Sequence, residues 1–442
     1  MGLAVLGACT GSAAASAQNL EQYFPAGVPG YGNNPGVTVL SRSREEYVTS
    51  GIRVGGIILR PDAQQEIGYN DNVIGTTQAA GSPLVETRAS LHADTDWARN
   101  SLSASVDVDN QVYTSLRNEN LTNWSASMAG RYDLGRDSAS LSYTHFNLNQ
   151  SPSGINSYGL GTPIPFSVED VRVSYTAPFG RFSLSPNFEA TTYGFGSGIV
   201  SGNLVDQGFR NRVTLQGGVT ARYELSTGRS LLVVVNDYTN NYTSTPTGQP
   251  TRDNTGVEAL AGLEYSANGV FRYRILAGFE NHVYRNSAYR SRNVPVAQGS
   301  VVWTPTGLTT VTATALRRIE ESNDDTTGGF TFNTGQVVVD HEYLRNILLQ
   351  GSGGVQYAQY EQGGGTQTIY TAGAGATWLI NRNMRLTARY DFSSSSSSSV
   401  VGMVVPQIGF TTLGTGLVGV NGQFTSGRYT QNIYTLQLRV AL

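Results

Sequence analysis

The chain closes with QNIYTLQLRVAL (431–442). Tyr434, Leu436, Leu438, Val440 and Leu442 alternate there with Thr435, Gln437, Arg439 and Ala441, the two-residue period of a strand with one apolar face. In a soluble domain a terminal strand is an edge, and its unpaired N–H and C=O groups invite aggregation. This ending therefore needs a partner strand, which the rest of the chain must supply.

Composition narrows where that partner comes from. The 442 residues include 52 Gly, 24 Tyr and 15 Phe, only 14% are charged, and all 29 basic residues are arginine. Such length suits about three domains, yet no segment reads as a linker. The chain is too apolar and aromatic for disorder. A net charge of -3 leaves no electrostatic footprint for nucleic acid. One cysteine, Cys9, excludes a disulfide framework and a cysteine metal cluster. The longest aliphatic run, Leu231 to Val235, is far short of the roughly 18 residues a spanning helix needs. Entry into a membrane would have to be by strands.

The first residues read as an export signal. An apolar stretch from Leu3 to Ala8 precedes Ala15-Ser16-Ala17, a small-residue cleavage site before Gln18. The basic leading region of such signals is missing, so a true start upstream is expected. LGAC (6–9) also fits a lipoprotein signal ending at Cys9. The expected organisation is a signal peptide over 1–17, a periplasmic tail over 18–53 and a barrel over 54–442.

Short turn signals recur about every 40 residues: ARN (98–100), LGRD (134–137), APFGR (177–181), STGR (226–229), SANG (266–269), TPTG (304–307), LRN (344–346) and NRN (381–383). Each carries the Gly, Asn, Asp or Pro of a tight hairpin connection. Between them lie longer polar segments near 74–82, 115–121, 151–163, 196–207, 244–253, 286–290, 322–328, 361–367 and 393–427. The flanking runs alternate. Trp124, Ala126, Met128, Gly130, Tyr132 and Leu134 share one face, with Asn123, Ser125, Ser127, Arg131 and Asp133 on the other. Nine long loops and eight short turns connect eighteen strands at roughly 22 residues each, the spacing of a transmembrane barrel. The expected fold is all-β: a closed antiparallel barrel of about 18 strands in a Gram-negative outer membrane. Closure pairs the last strand with the first and removes the edge. Barrels of this kind commonly end on a residue read by the barrel-assembly machinery, and Leu442 stands where Phe is more usual.

Residues 51–73, GIRVGGIILRPDAQQEIGYNDNV, resemble the opening strand of the putative beta-barrel porin 2 family, through Gly51, Ile52, Arg53, Gly55, Pro61, Tyr69, Asn70, Asp71, Asn72 and Val73. LHADTDWARNSLSASVDVDNQVY (91–113) is similar to the same family's Trp-turn-strand pattern. The resemblance implies an outer-membrane barrel linked to export or assembly of extracellular polysaccharide, and it transfers no catalytic residue.

Candidate chemistry is correspondingly thin. His92, His145, His282 and His341 are scattered, and none stands in HExxH spacing. GFGSG (194–198) and GGG (363–365) open no helix, so they cradle no phosphate. No enzyme, cofactor or metal site is expected. The inward charges say more. Glu66, Glu86, Asp94, Asp96, Asp107 and Asp109 make the first strands acidic inside, while Arg272, Arg274, Arg385, Arg389 and Arg439 are the basic pore-lining candidates. They suit either a transverse field that orients solutes or salt bridges that brace the wall. Most aromatics fall on the outward register, against a sugar-sliding track. The loop 393–427 starts with seven serines and turns apolar and Gly-rich. It reads as a constriction on a serine hinge or as a surface hairpin.

The expected function is a channel passing polysaccharide, with two alternatives: a diffusion porin for small polar solutes, or a plugged barrel whose tail docks a periplasmic partner. The other expected partners are outer-membrane lipid and the barrel-assembly machinery.

Overall fold

The computed structural model describes residues 38–442 except 41, 43, 158–159, 201–202, 267, 324–326, 362–364 and 399–427. Alternation in sequence becomes strand because each run finds a partner on both sides. A short β1 (Ile52–Val54) leads into the wall, which opens with β2 (Ile57–Asn70), β3 (Ser82–Thr95), β4 (Ser101–Tyr113), β5 (Leu121–Asp133) and β6 (Ser138–Gln150). It continues through β7 (Ile164–Phe179) and β8 (Phe182–Phe195). A small external hairpin, β9 (Ser197–Val200) and β10 (Asn203–Asp206), interrupts it. The wall resumes with β11 (Arg212–Ser226), β12 (Arg229–Tyr242), β13 (Asn254–Tyr265), β14 (Phe271–Tyr284) and β15 (Arg292–Thr306). Last come β16 (Thr309–Glu321), β17 (Gly329–Leu344), β18 (Ile347–Tyr360), β19 (Thr366–Leu379), β20 (Met384–Ser398) and β21 (Tyr429–Ala441).

Every wall strand is antiparallel to its neighbours, and β21 pairs with β2 from Asp62↔Ala441 to Asn70↔Ile433. Eighteen wall strands close on themselves. Below the end of β21, β1 takes over the pairing with β2, with Ile52 opposite Leu59, so the seam stays covered past the C-terminus. The tight turns sit at the end where β1 lies and β21 finishes, the periplasmic end of the expected topology. Gly180 and Gly228 hold positive φ of 66° and 73° in two of them, a conformation a Cβ would penalise.

The two faces divide as the alternation requires. Leu231, Val233 and Val235 point out and are exposed, whereas Leu232 and Val234 point in and pack with Leu260, Leu276 and Val296. An outer surface this continuous in exposed aliphatics is stable only against lipid. Aromatics band its periplasmic rim, where Tyr265 stacks on Tyr273 and Phe271 on Trp303.

One expectation is corrected. The serines 393–398 form no hinge: they belong to β20, held by β19 on one side and, through Ser395, by β21 on the other. Serine's weak strand preference yields to a ladder imposed by both neighbours. The constriction or hairpin expected of the rest of that loop falls outside the described residues. Aromatics fall on both faces: Tyr143, Phe188, Trp303 and Tyr434 are among those exposed on the outward register, as the alternation predicts. Phe146, Phe166, Phe195, Phe330, Phe332 and Tyr429 are buried on the inner register near the loop ends of their strands.

Candidate functional site: the barrel lumen

Register carries the inward face from strand to strand. Opposite Glu66 stands Glu86, opposite Arg88 stands Asp109, and opposite His92 stands Ser105. Glu86 is fully buried beneath Arg88. The same guanidinium lies 3.8 Å from both Glu66 and Asp109. Asp107 faces His92 at 3.5 Å, and Asp94 pairs with Arg60. Across the seam Arg439 pairs with Asp62, and Gln437 donates to Glu66 at 3.1 Å. Arg389 is clamped by Asp391 of its own strand at 2.6 and 2.8 Å, and Arg385 donates to the Tyr47 carbonyl at 3.2 Å. Arg272 and Arg274 lie on the inner face of β14, opposite Val302 and Ser300.

Of the eleven charges expected to face inward, Asp96 alone leaves the inner wall. It follows the last residue of β3 and pairs with Arg53 at the exposed turn, because alternation in sequence runs on past the point where pairing stops. The neighbouring arginine holds its carboxyl below the usual carboxylate range. Of the others, Glu86, Asp94, Asp107, Asp109, Arg389 and Arg439 stand in short local pairs, while Arg385 bonds a backbone carbonyl. On β2 to β4 the acids outnumber their partners: Asp62, Glu66, Glu86, Asp94, Asp107 and Asp109 share Arg60, Arg88 and His92, with Arg439 reaching in from β21.

One element inside the lumen is of a kind that alternation cannot show. Residues 151–157, which follow β6, fold inward rather than away. Ile155 is buried against Phe330, Phe332, Ala358 and Ile369 of β17, β18 and β19. β17 lies nine strands from β6, half the circumference of the eighteen-stranded wall. The loop therefore crosses the lumen to the far wall. Next to Ile155, the Asn156 amide donates to Gln367 Oε1 at 3.1 Å, its side chain donates to the Glu321 carbonyl at 3.3 Å, and its Oδ1 accepts from the Asn323 amide at 3.3 Å. The Tyr429 hydroxyl donates to the Ser153 carbonyl. At the root of the loop, Gln150 donates to the Asn156 carbonyl and accepts from Arg210 at 2.9 Å.

Glu321, at the top of β16, ties the surrounding ends together. It accepts from Asn254 at 2.8 Å, Asn240 at 3.3 Å and the Tyr242 hydroxyl at 2.8 Å. A buried carboxylate surrounded by donors is stable and rigid, whereas a half-satisfied one would be costly. Ile155, Asn156 and Glu321 were missed from sequence. The available signal was a lone isoleucine in a Gly/Ser/Asn loop, which without the barrel reads as incidental. Among the described residues no group of three or more His, Cys, Asp or Glu side chains is arranged to hold a metal ion, and no helix is long and apolar enough to cross a membrane.

A closed wall with a lipid-facing exterior, a polar interior and an inward-folded loop defines an outer-membrane β-barrel channel of the porin type. The chain belongs to the family described as Putative beta-barrel porin 2, whose sequence profile matches residues 45–405. That membership points to transport rather than catalysis. Among solved structures the barrel is similar to the outer membrane protein OpdK from Pseudomonas aeruginosa, with a TM-score of 0.46, 10% identity and coverage of 87% of this chain and 99% of that one. It is also similar to OccAB3 from Acinetobacter baumannii, with a TM-score of 0.45, 7% identity and coverage of 88% and 100%. No curated protein matches the chain.

Proposed function

We propose that the protein is a narrow diffusion channel for small polar solutes in the outer membrane of a Gram-negative bacterium. The stretch 151–157, pinned to the wall opposite its origin, carries this reading. A hydrated polysaccharide needs a continuous bore along its length, and a loop latched by a buried isoleucine and three Asn156 hydrogen bonds obstructs one. Polysaccharide export, which the family resemblance implied, therefore has less support, and the family description names no polysaccharide. The charged inner wall favours polar solutes, and the acidic excess on β2 to β4 favours cations over anions of equal size. Local pairing neutralises part of that excess, and salt screens the exposed charges that remain.

Liposome swelling with sugars of graded size, together with unitary conductance in planar bilayers, tests the reading. Uptake should cut off at mono- or disaccharides, and the reversal potential in a salt gradient should have the sign of cation preference. Passage of long oligosaccharides, or block of the current by a polysaccharide, would favour the export reading. Absence of any conductance would favour a plugged barrel.

A further inference from the structure

The periplasmic mouth of the barrel contains a segment of the chain itself. Val39 is buried against Leu348 of β18 and Leu379 of β19, with Leu40 and Tyr47 packed alongside. Both leucines sit on the inner register at the periplasmic ends of their strands, where the lumen would otherwise expose them to water. The Val39 amide donates to Thr310 Oγ1 of β16 at 3.0 Å. Arg42 and Arg44 converge on one carboxylate, Glu342 of β17, the second at 2.8 Å. Arg42 also donates to the Gly307 carbonyl at 2.6 Å, and Arg385 of β20 donates to the Tyr47 carbonyl. The segment folds on itself for this fit, with the Arg42 amide on the Thr38 carbonyl at 2.9 Å and Arg44 on the Val39 carbonyl at 2.8 Å.

We propose that the segment carrying Val39, Leu40, Arg42, Arg44 and Tyr47 is a tethered stopper, seated on the inner faces of β16 to β20 and narrowing the periplasmic mouth until displaced. The inference rests on the channel reading above and adds a second restriction at the other end of the lumen. Its seat is specific: one apolar socket, one shared carboxylate and backbone bonds to three separate strands or turns. It is also reversible in character. Arg42 is more than a third exposed, and exposed ion pairs hold weakly. The tether is short. From Tyr47 only a few residues lead to β1, which is already paired into the seam, so a released stopper swings from a fixed point and stays at the mouth.

The test uses the full chain and two variants. Val39→Asp removes the apolar anchor without touching the barrel wall, and Glu342→Gln removes the shared carboxylate. In each variant, trypsin should cut after Arg42 or Arg44 several-fold faster than in the unmodified protein, and the unitary conductance should rise by a comparable factor. Migration on unheated gels should stay that of a folded barrel. Rapid cleavage of the unmodified protein at these arginines would overturn the seat. Faster cleavage in the variants with unaltered conductance would overturn the stopper. A protected seat with no conductance in any form would sink the channel reading on which the proposal stands.

Discussion

Asn156 is the non-glycine residue with positive φ, 56°, among the described residues. Asparagine tolerates that region better than most side chains, but the conformation still has a cost and persists only where surroundings over-determine it. Here they do: its amide, side chain and carbonyl are all engaged, and Ile155 beside it fills an apolar socket. Ile155→Asp would place a carboxylate against Phe330 and Phe332, and an unpaired buried charge is strongly disfavoured. The loop should leave the far wall, so unitary conductance should rise several-fold while the barrel stays folded. An unaltered current would show that the constriction lies elsewhere. Glu119 offers a second residue-scale prediction. It lies in the loop between β4 and β5, only 3% exposed, and burial raises its carboxyl to about 7. Its folded pKa stands above its unfolded value of 4.5, so the contribution to stability is complete below 4.5 and is lost as pH rises through about 7. Protection of the amides at 114–120 against hydrogen exchange, corrected for intrinsic rates, should fall across that window. Glu119→Gln should flatten the profile. A wild-type profile already flat from pH 4 to 8 would refute the assignment.

At the scale of elements, β21 does two jobs with one pattern. Its inward residues, among them Arg439 and Gln437, bond to Asp62 and Glu66 of β2, while Tyr434, Leu436, Leu438 and Val440 face lipid. Without it, β2 and β20 would both become open edges, and open edges do not persist within a hydrocarbon layer. Deleting 434–442 should therefore abolish recovery of the protein from the outer-membrane fraction. Leu442→Asp isolates the assembly-signal part of the expectation, because the Leu442 amide already bonds the Pro61 carbonyl and the ladder itself would remain. Normal membrane yield of Leu442→Asp, beside failure of the deletion, would assign the effect to closure alone. β20 shows how neighbours overrule composition. Ser393, Ser395 and Ser397 face inward opposite Thr371, Ile369 and Gln367 of β19, giving a polyserine run the register of a wall strand.

For the whole molecule, closure joins residues about as far apart in the chain as it allows, with Asp62 opposite Ala441. Such non-local pairing is slow to form, and once formed it opens only if the whole ring gives way. Unheated protein in detergent should therefore migrate faster on a gel than boiled protein and show a strand-dominated circular dichroism spectrum. A mainly helical spectrum, or identical migration before and after boiling, would contradict the closed ring.

What the sequence determined by itself was everything that repeats: strand direction, the inward and outward faces, the alternation of short turns with long loops, and thus eighteen strands and their closure. Period-two alternation is a local property, and each strand reports it independently of the others. Glu86, Asp107, Asp109, Arg389 and Arg439 could be assigned to the inner face on that basis alone. The tertiary structure decided what each inward group meets. Arg88 gathers three carboxylates from three strands, Glu321 gathers donors from β12 and β13, and Asp96 falls off the wall because β3 ends one residue earlier. It also decided which loop enters the lumen. Ile155 and Val39 are ordinary apolar residues in irregular segments, with no period to betray them. Only a closed ring brings a socket of Phe330, Phe332 and Ile369 within reach of the one, and Leu348 with Leu379 within reach of the other.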